Sequence, residues 1–94
     1  MLDEKYQRQI KEIVSKNLPQ GTRVFVFGSS VREDNFHDVD LGVIGGKIDD
    51  KTINQIKDQL EESNLPYLFD VINFNQAETK FRAKILKGDI LWLT

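Results

Sequence analysis

Asp38-Val39-Asp40, with the Gly28-Ser29 pair upstream of it, are the residues of this sequence best suited to chemistry. Asp38 and Asp40 stand two positions apart, so in an extended chain both carboxylates leave the same face. Their Cα atoms then lie roughly 6.5–7 Å apart. Two like charges aimed at one spot repel unless a cation lies between them, and a hard divalent cation such as Mg²⁺ takes oxygen ligands of this kind. Gly28-Ser29 closes the run Val24-Phe25-Val26-Phe27, where a strand turns into a short helix and free amides at the helix N-terminus favour phosphate. A further carboxylate, Asp70, interrupts the apolar stretch Leu68-Phe69-Asp70-Val71-Ile72, where burial is costly unless the group is paired or metal-bound. Metal-binding carboxylates beside a phosphate cradle point to nucleotide chemistry. Each feature also has a plainer use. Gly-Ser pairs commonly cap helices, Asp38 and Asp40 can cap a turn and mark a strand edge, and Asp70 can sit on a solvent-facing edge.

Neighbouring residues are less specific. Arg32 can reach a triphosphate from the first turn of the short helix, or make an exposed salt bridge with Glu33 or Asp34. His37, the lone histidine, is read as a loop residue making a surface hydrogen bond rather than as a proton carrier. Gly45-Gly46 lacks the Lys-Ser/Thr of a P-loop, and no G-x-G-x-x-G is present, so those two nucleotide-binding modes are set aside.

The elements that must position these residues are legible from periodicity. Leu2, Tyr6, Ile10, Ile13 and Val14 recur at helical spacing, predicting an amphipathic helix from Leu2 to about Asn17. Pro19 and Gly21 end it. A strand over Arg23 to Phe27 follows, β-branched and aromatic as a strand covered on both faces should be. One helical turn over Ser29 to Glu33 comes next, then a polar loop in which Phe36 packs back, and a strand over Asp38 to Ile44. After the Gly45-Gly46 turn, Asp49 or Asp50 can cap a helix reaching about Ser63, with Ile53, Ile56 and Leu60 as its buried stripe. Tyr67 to Phe74 has strand composition. Ala77, Phe81 and Ile85, with Ala83 and Leu86, make a last helix ended by Gly88. The tail Ile90-Leu91-Trp92-Leu93 predicts a short edge strand closing the core, with a partner interface as the alternative use of Trp92.

Ninety-four residues suffice for one core but not for two lobes, so residues 1–94 are expected to form a single domain. With 39% hydrophobic and 30% charged residues the composition is that of an ordinary globular protein. Net charge is −2 without a basic block, which argues against nucleic-acid binding by the isolated domain. The absence of cysteine excludes disulfides, thiol catalysis and cysteine-ligated zinc. No apolar run approaches spanning length and the N-terminus is not a signal peptide, so no membrane partner is expected and a cytoplasmic location is the default.

The stretch resembles the nucleotidyltransferase superfamily of DNA polymerase β, and within it the minimal nucleotidyltransferase branch. That pattern is a strand ending in Gly-Ser, a short helix, Asp-hydrophobic-Asp, and a third carboxylate on a later strand. It is matched here by Gly28-Ser29, Asp38-Val39-Asp40 and Phe69-Asp70-Val71, with Arg32 at the place of a basic residue common one turn after Gly-Ser. The resemblance spans the chain from the first helix to the helix after Asp70. It implies an α+β fold with a mixed sheet flanked by helices, and Mg²⁺-dependent transfer of a nucleoside monophosphate to a hydroxyl. Asp38, Asp40 and Asp70 would be catalytic and would hold two Mg²⁺ ions roughly 3.5–4 Å apart. Asp38 and Asp40 would ligate both ions, and Asp70 one of them while helping to deprotonate the attacking hydroxyl. Gly28, Ser29 and Arg32 would bind the triphosphate.

Larger members of the superfamily carry a second domain for acceptor recognition, and here that task is expected to fall to another chain. The resemblance implies a helical HEPN toxin as partner, silenced by AMP from ATP placed on a tyrosine, so that this protein acts as antitoxin. Nothing in the residues selects ATP over another triphosphate. One departure is the spacing: eight residues, 30–37, separate Ser29 from Asp38, fewer than usual in the family, and Glu33 replaces a usual glycine. That departure motivates an alternative, a non-catalytic module that neutralises its partner by docking. Another is transfer to a small hydroxylated molecule.

Overall fold

A computed structural model describes residues 2–94. Its elements are α1 (Glu4–Ser15), β1 (Arg23–Phe27), α2 (Ser29–Arg32), β2 (Asp38–Ile44), α3 (Asp50–Glu62), β3 (Leu68–Asn73), α4 (Thr79–Lys87) and β4 (Leu91–Trp92). The strands form one sheet in the order β3-β2-β1-β4. β1 pairs antiparallel with β2 and with β4, whereas β2 and β3 run parallel because α3 supplies the crossover such a pair requires. This is the expected α+β mixed sheet.

Local chemistry sets the helix ends. α1 starts two residues later than the periodicity suggests, because the Asp3 side chain accepts from the Lys5 N–H at 3.1 Å and caps it. Asp49 caps α3 in the same way, accepting from the Thr52 N–H at 2.8 Å. Such caps satisfy donors that the first turn leaves unpaired. Gly88 ends α4 as expected, in extended backbone with φ −85°, and its N–H bonds to the Ile85 carbonyl at 3.1 Å.

The sheet is packed on both faces, unequally. On one side Val24, Val26, Val39, Leu41, Val43, Phe69 and Val71 meet Ile10 and Val14 of α1 and Ile56 and Leu60 of α3. Full burial of such side chains is worth about 1.5–3 kcal/mol each. On the other side Phe25, Phe27 and Phe74 cluster with Ile85 and Leu86 of α4. Phe25 faces Gly42 across the β1–β2 pair, and a Cβ at Gly42 would collide with the Phe25 ring. The absence of that side chain lets the ring lie on the strand.

α4 starts at Thr79, so Ala77, expected within the helix, lies before it. None of its residues is buried, Ala83 is exposed, and Phe81 is 37% exposed while touching Phe74 at a ring distance of 5.7 Å. The helix covers only the aromatic half of its sheet face. Toward β3 the same face is bare, and it is there that Asp38, Leu68 and Asp70 are exposed. At the opposite edge Leu93 is buried, while Trp92 stays 38% exposed, resting on Phe25 at 5.0 Å with Arg23 over its ring at 3.9 Å. The edge-strand reading of the tail is therefore right, with Leu93 closing the core.

Candidate active site

The site is built where β1 ends beside the start of β2. Phe27 is paired with Asp40, and Gly28 follows with φ +81° and ψ −156°, backbone that essentially only glycine adopts. The chain thereby turns at once into α2, held by the Glu33 N–H on the Ser29 carbonyl at 2.8 Å and the Val31 N–H on the Gly28 carbonyl at 3.2 Å. No side chain caps α2. A Cβ at Gly28 would run into Oδ2 of Asp40, so the same glycine that makes the turn leaves room for the carboxylate.

Register supplies the other two acids. Asp40 is the direct neighbour of Asp70 across the parallel β2–β3 pair, and Asp38 is the neighbour of Leu68. Adjacent strands lie about 4.8 Å apart and alternate residues share a face, so the three carboxylates and Leu68 leave one face together. They line a single cleft of about 280 Å³ with Ser29 and Phe69. The short connection between α2 and β2 thus still brings Ser29 and Asp38 to one place. It is tied down by the His37 carbonyl, which accepts from the Leu68 N–H at 3.0 Å, and by Phe36 stacked on Tyr67 at 5.3 Å.

Electrostatics mark Asp40 as the centre of the group. Partial burial, then the charges of Asp70 and Asp38, push its carboxyl above the ordinary carboxylate value. Asp70 is exposed rather than buried in the apolar run, because β3 is an edge strand and the face it shares with Asp40 is uncovered. The burial cost expected from the sequence does not arise.

The cleft has an oxygen-only donor set and no basic side chain in its lining, the chemistry that suits a hard divalent cation. Among the described residues no three His, Cys, Asp or Glu side chains are drawn tightly enough together to enclose one ion. The acids surround a shared space without forming one closed shell.

Arg32 lies elsewhere. With Phe27, Gly28, Lys84, Ile85, Gly88 and Asp89 it lines a second cleft of about 450 Å³. The Gly28-Ser29 turn borders both clefts, Ser29 lining the first and Gly28 the second, where Asp89 sets a carboxylate beside the two cations. Sequence reasoning missed Lys84, because its place depends on how α4 packs. It also missed Leu68, although the period-2 alternation through Asp70 carried that signal.

The fold is shared with proteins of known structure. A toxin–antitoxin structure with AMP-PNP matches with a TM-score of 0.77 at 18% identity, covering 94% of this chain and 72% of the other. A structure of a tri-AMPylated Shewanella oneidensis HEPN toxin in complex with MNT antitoxin matches with a TM-score of 0.78 at 17% identity, over 99% and 72% of the two chains. Curated proteins give no significant sequence match. The family described as polymerase beta, nucleotidyltransferase matches residues 8–94, and with Gly28-Ser29, Asp38, Asp40 and Asp70 gathered as described, the chain belongs to that nucleotidyltransferase family.

Proposed function

We propose that residues 1–94 act as a minimal nucleotidyltransferase domain that transfers AMP from ATP to a tyrosine hydroxyl of a HEPN toxin, and so serves as its antitoxin in the cytoplasm. The observation that carries this reading is the single cleft lined by Asp38, Asp40, Asp70 and Ser29, with Gly28 leaving Asp40 room. Its specific terms are supported by the two neighbours, one with AMP-PNP and one containing an AMPylated HEPN toxin.

In this reaction the acceptor oxygen attacks the α-phosphorus. The bond from that phosphorus to the oxygen bridging to the β-phosphate breaks, and pyrophosphate leaves. Asp70, exposed at the edge strand, takes the hydroxyl proton. Ser29 and the Gly28-Ser29 backbone hold the phosphates beside Asp40, and Arg32 meets the growing negative charge of the leaving group from the second cleft. Asp38, Asp40 and Asp70 would hold Mg²⁺, which supplies positive charge at the phosphoryl oxygens and lowers the pKa of the attacking hydroxyl. Sharing three carboxylates between two ions does not require one closed shell.

The test is incubation of the chain with Mg²⁺, labelled ATP and a HEPN partner, beside an Asp38→Asn/Asp40→Asn control. Label on the partner that disappears in the control is the expected result. A stable complex without transfer would instead make the protein an antitoxin that docks, and label only on a small hydroxylated molecule would move the acceptor class.

A further inference from the structure

Leu68 is 72% exposed, the most exposed of the large apolar side chains among the described residues. A single exposed leucine is ordinary, but this one lies in the wall of the carboxylate cleft. It opens β3, stands opposite Asp38 in the register and shares the face of Asp70. β3 is the sheet's outer strand, so nothing in the sheet lies beyond it.

The chemistry proposed above gives that position a direction. In-line displacement places the incoming oxygen and the departing pyrophosphate on opposite sides of the phosphorus. With the phosphates on Gly28 and Ser29, to the β1 side of Asp40, the hydroxyl must arrive from the β3 side, across Leu68 and Asp70. The carboxylates of the cleft are taken up, under that reading, by Mg²⁺ and the acceptor proton, so the other exposed side chain on this side is Leu68, which offers no hydrogen bond to a sugar's neighbouring hydroxyls. An apolar surface beside a proton-accepting carboxylate fits a group with an apolar body and one hydroxyl at its tip, which is a phenol.

We propose that Leu68 is an acceptor-contact residue, packing against the ring of the partner protein's target tyrosine and setting its hydroxyl toward Asp70. This inference rests on the transferase reading and adds to it the side of approach and the residue that selects an aromatic acceptor.

The experiment compares the unsubstituted chain with Leu68→Ser and Leu68→Met, using Mg²⁺, labelled ATP and a HEPN partner with its target tyrosine intact. Leu68 is so exposed that neither change threatens the fold, which a thermal melt confirms. Leu68→Ser should lower kcat/KM for the tyrosine acceptor about tenfold or more, the scale on which an apolar contact discriminates. The KM for ATP should stay unchanged, and Leu68→Met should restore most of the rate. Equal rates for the unsubstituted and Leu68→Ser chains would overturn the inference while leaving the transferase reading intact. A raised KM for ATP would overturn it too, placing Leu68 against the nucleotide. No transfer by the unsubstituted chain would sink both.

Discussion

The Cβ that Gly28 lacks would collide with Oδ2 of Asp40. Turn and carboxylate are therefore one device: the backbone geometry that only glycine adopts starts α2, and the missing side chain leaves the acid in the cleft. The Phe27–Asp40 register pair fixes the relationship, since it sets the first residue after β1 directly beside that carboxylate.

Gly28→Ala should fail on both counts. Alanine at φ +81° is strained by about 1–3 kcal/mol, and its methyl must displace Asp40. Urea denaturation should show a loss of stability of that order, with AMP transfer falling by a larger factor than stability alone explains. A variant of unchanged activity would mean that Asp40 does not need its present place.

Asp40→Asn should separate stability from activity. Burial and the charges of Asp70 and Asp38 raise the Asp40 pKa above its unfolded value. A carboxyl raised in this way favours folding only while protonated, so its contribution is complete below the ordinary value of 3.8 and is lost as pH rises through the folded one. At pH 7 the ionised group works against the fold. In EDTA at pH 7 the Asn variant should therefore melt above the unsubstituted chain, the gain fading on acidification, while transfer is abolished. Added Mg²⁺ should raise the melting temperature of the unsubstituted chain and narrow the gap. An Asn variant that melts lower at pH 7 would refute this.

Asp49 provides the opposite sign. The hydrogen bonds from Thr52 lower its pKa, so the cap stabilises α3 above the ordinary carboxylate range and its contribution vanishes as pH falls through the folded value. Asp49→Ala should lower the melting temperature at pH 7 and have little effect in strong acid. Because α3 carries the crossover that sets β3 beside β2, the same variant tests whether the Asp40–Asp70 pairing depends on that helix. A pH-independent deficit would mean that the cap acts through something other than the Asp49 charge.

These residues also show what a sequence makes visible. Gly28-Ser29 and Asp38-Val39-Asp40 are local patterns on adjoining elements, so their chemistry survives being read along the chain. The pairing of Asp40 with Asp70 requires β2 and β3 to run parallel across thirteen residues of α3, a long-range choice with no local signature. Asp70 looked costly because Phe69, Val71 and Ile72 surround it in sequence. Its own face is uncovered, and only the sheet order shows that. The looseness of α4 was hidden for a related reason: Phe81 and Ile85 keep helical spacing whether or not anything covers them, and here only one side of the helix meets the aromatic cluster.

Lys84 is the residue the fold sets beside Arg32 in the second cleft. It stands on a helix with no buried residue and lines the cleft that also holds Gly28, Arg32 and Asp89, so two cations from separate elements and one carboxylate meet beside the Gly28-Ser29 turn. Pyrophosphate departing from Ser29 would find its charge opposed there, and the same cations would grip the triphosphate before transfer. Losing one charge-assisted contact costs about 1.5–3 kcal/mol in a well-formed site. Lys84→Ala should then raise the KM for ATP about tenfold, with Lys84→Arg retaining most of the affinity. Lys87→Ala, on the same helix but outside the cleft's lining, serves as the control for general charge. If Lys84→Ala and Lys87→Ala shift the KM equally, the second cleft does not carry the phosphates, and Arg32 loses its proposed role with it.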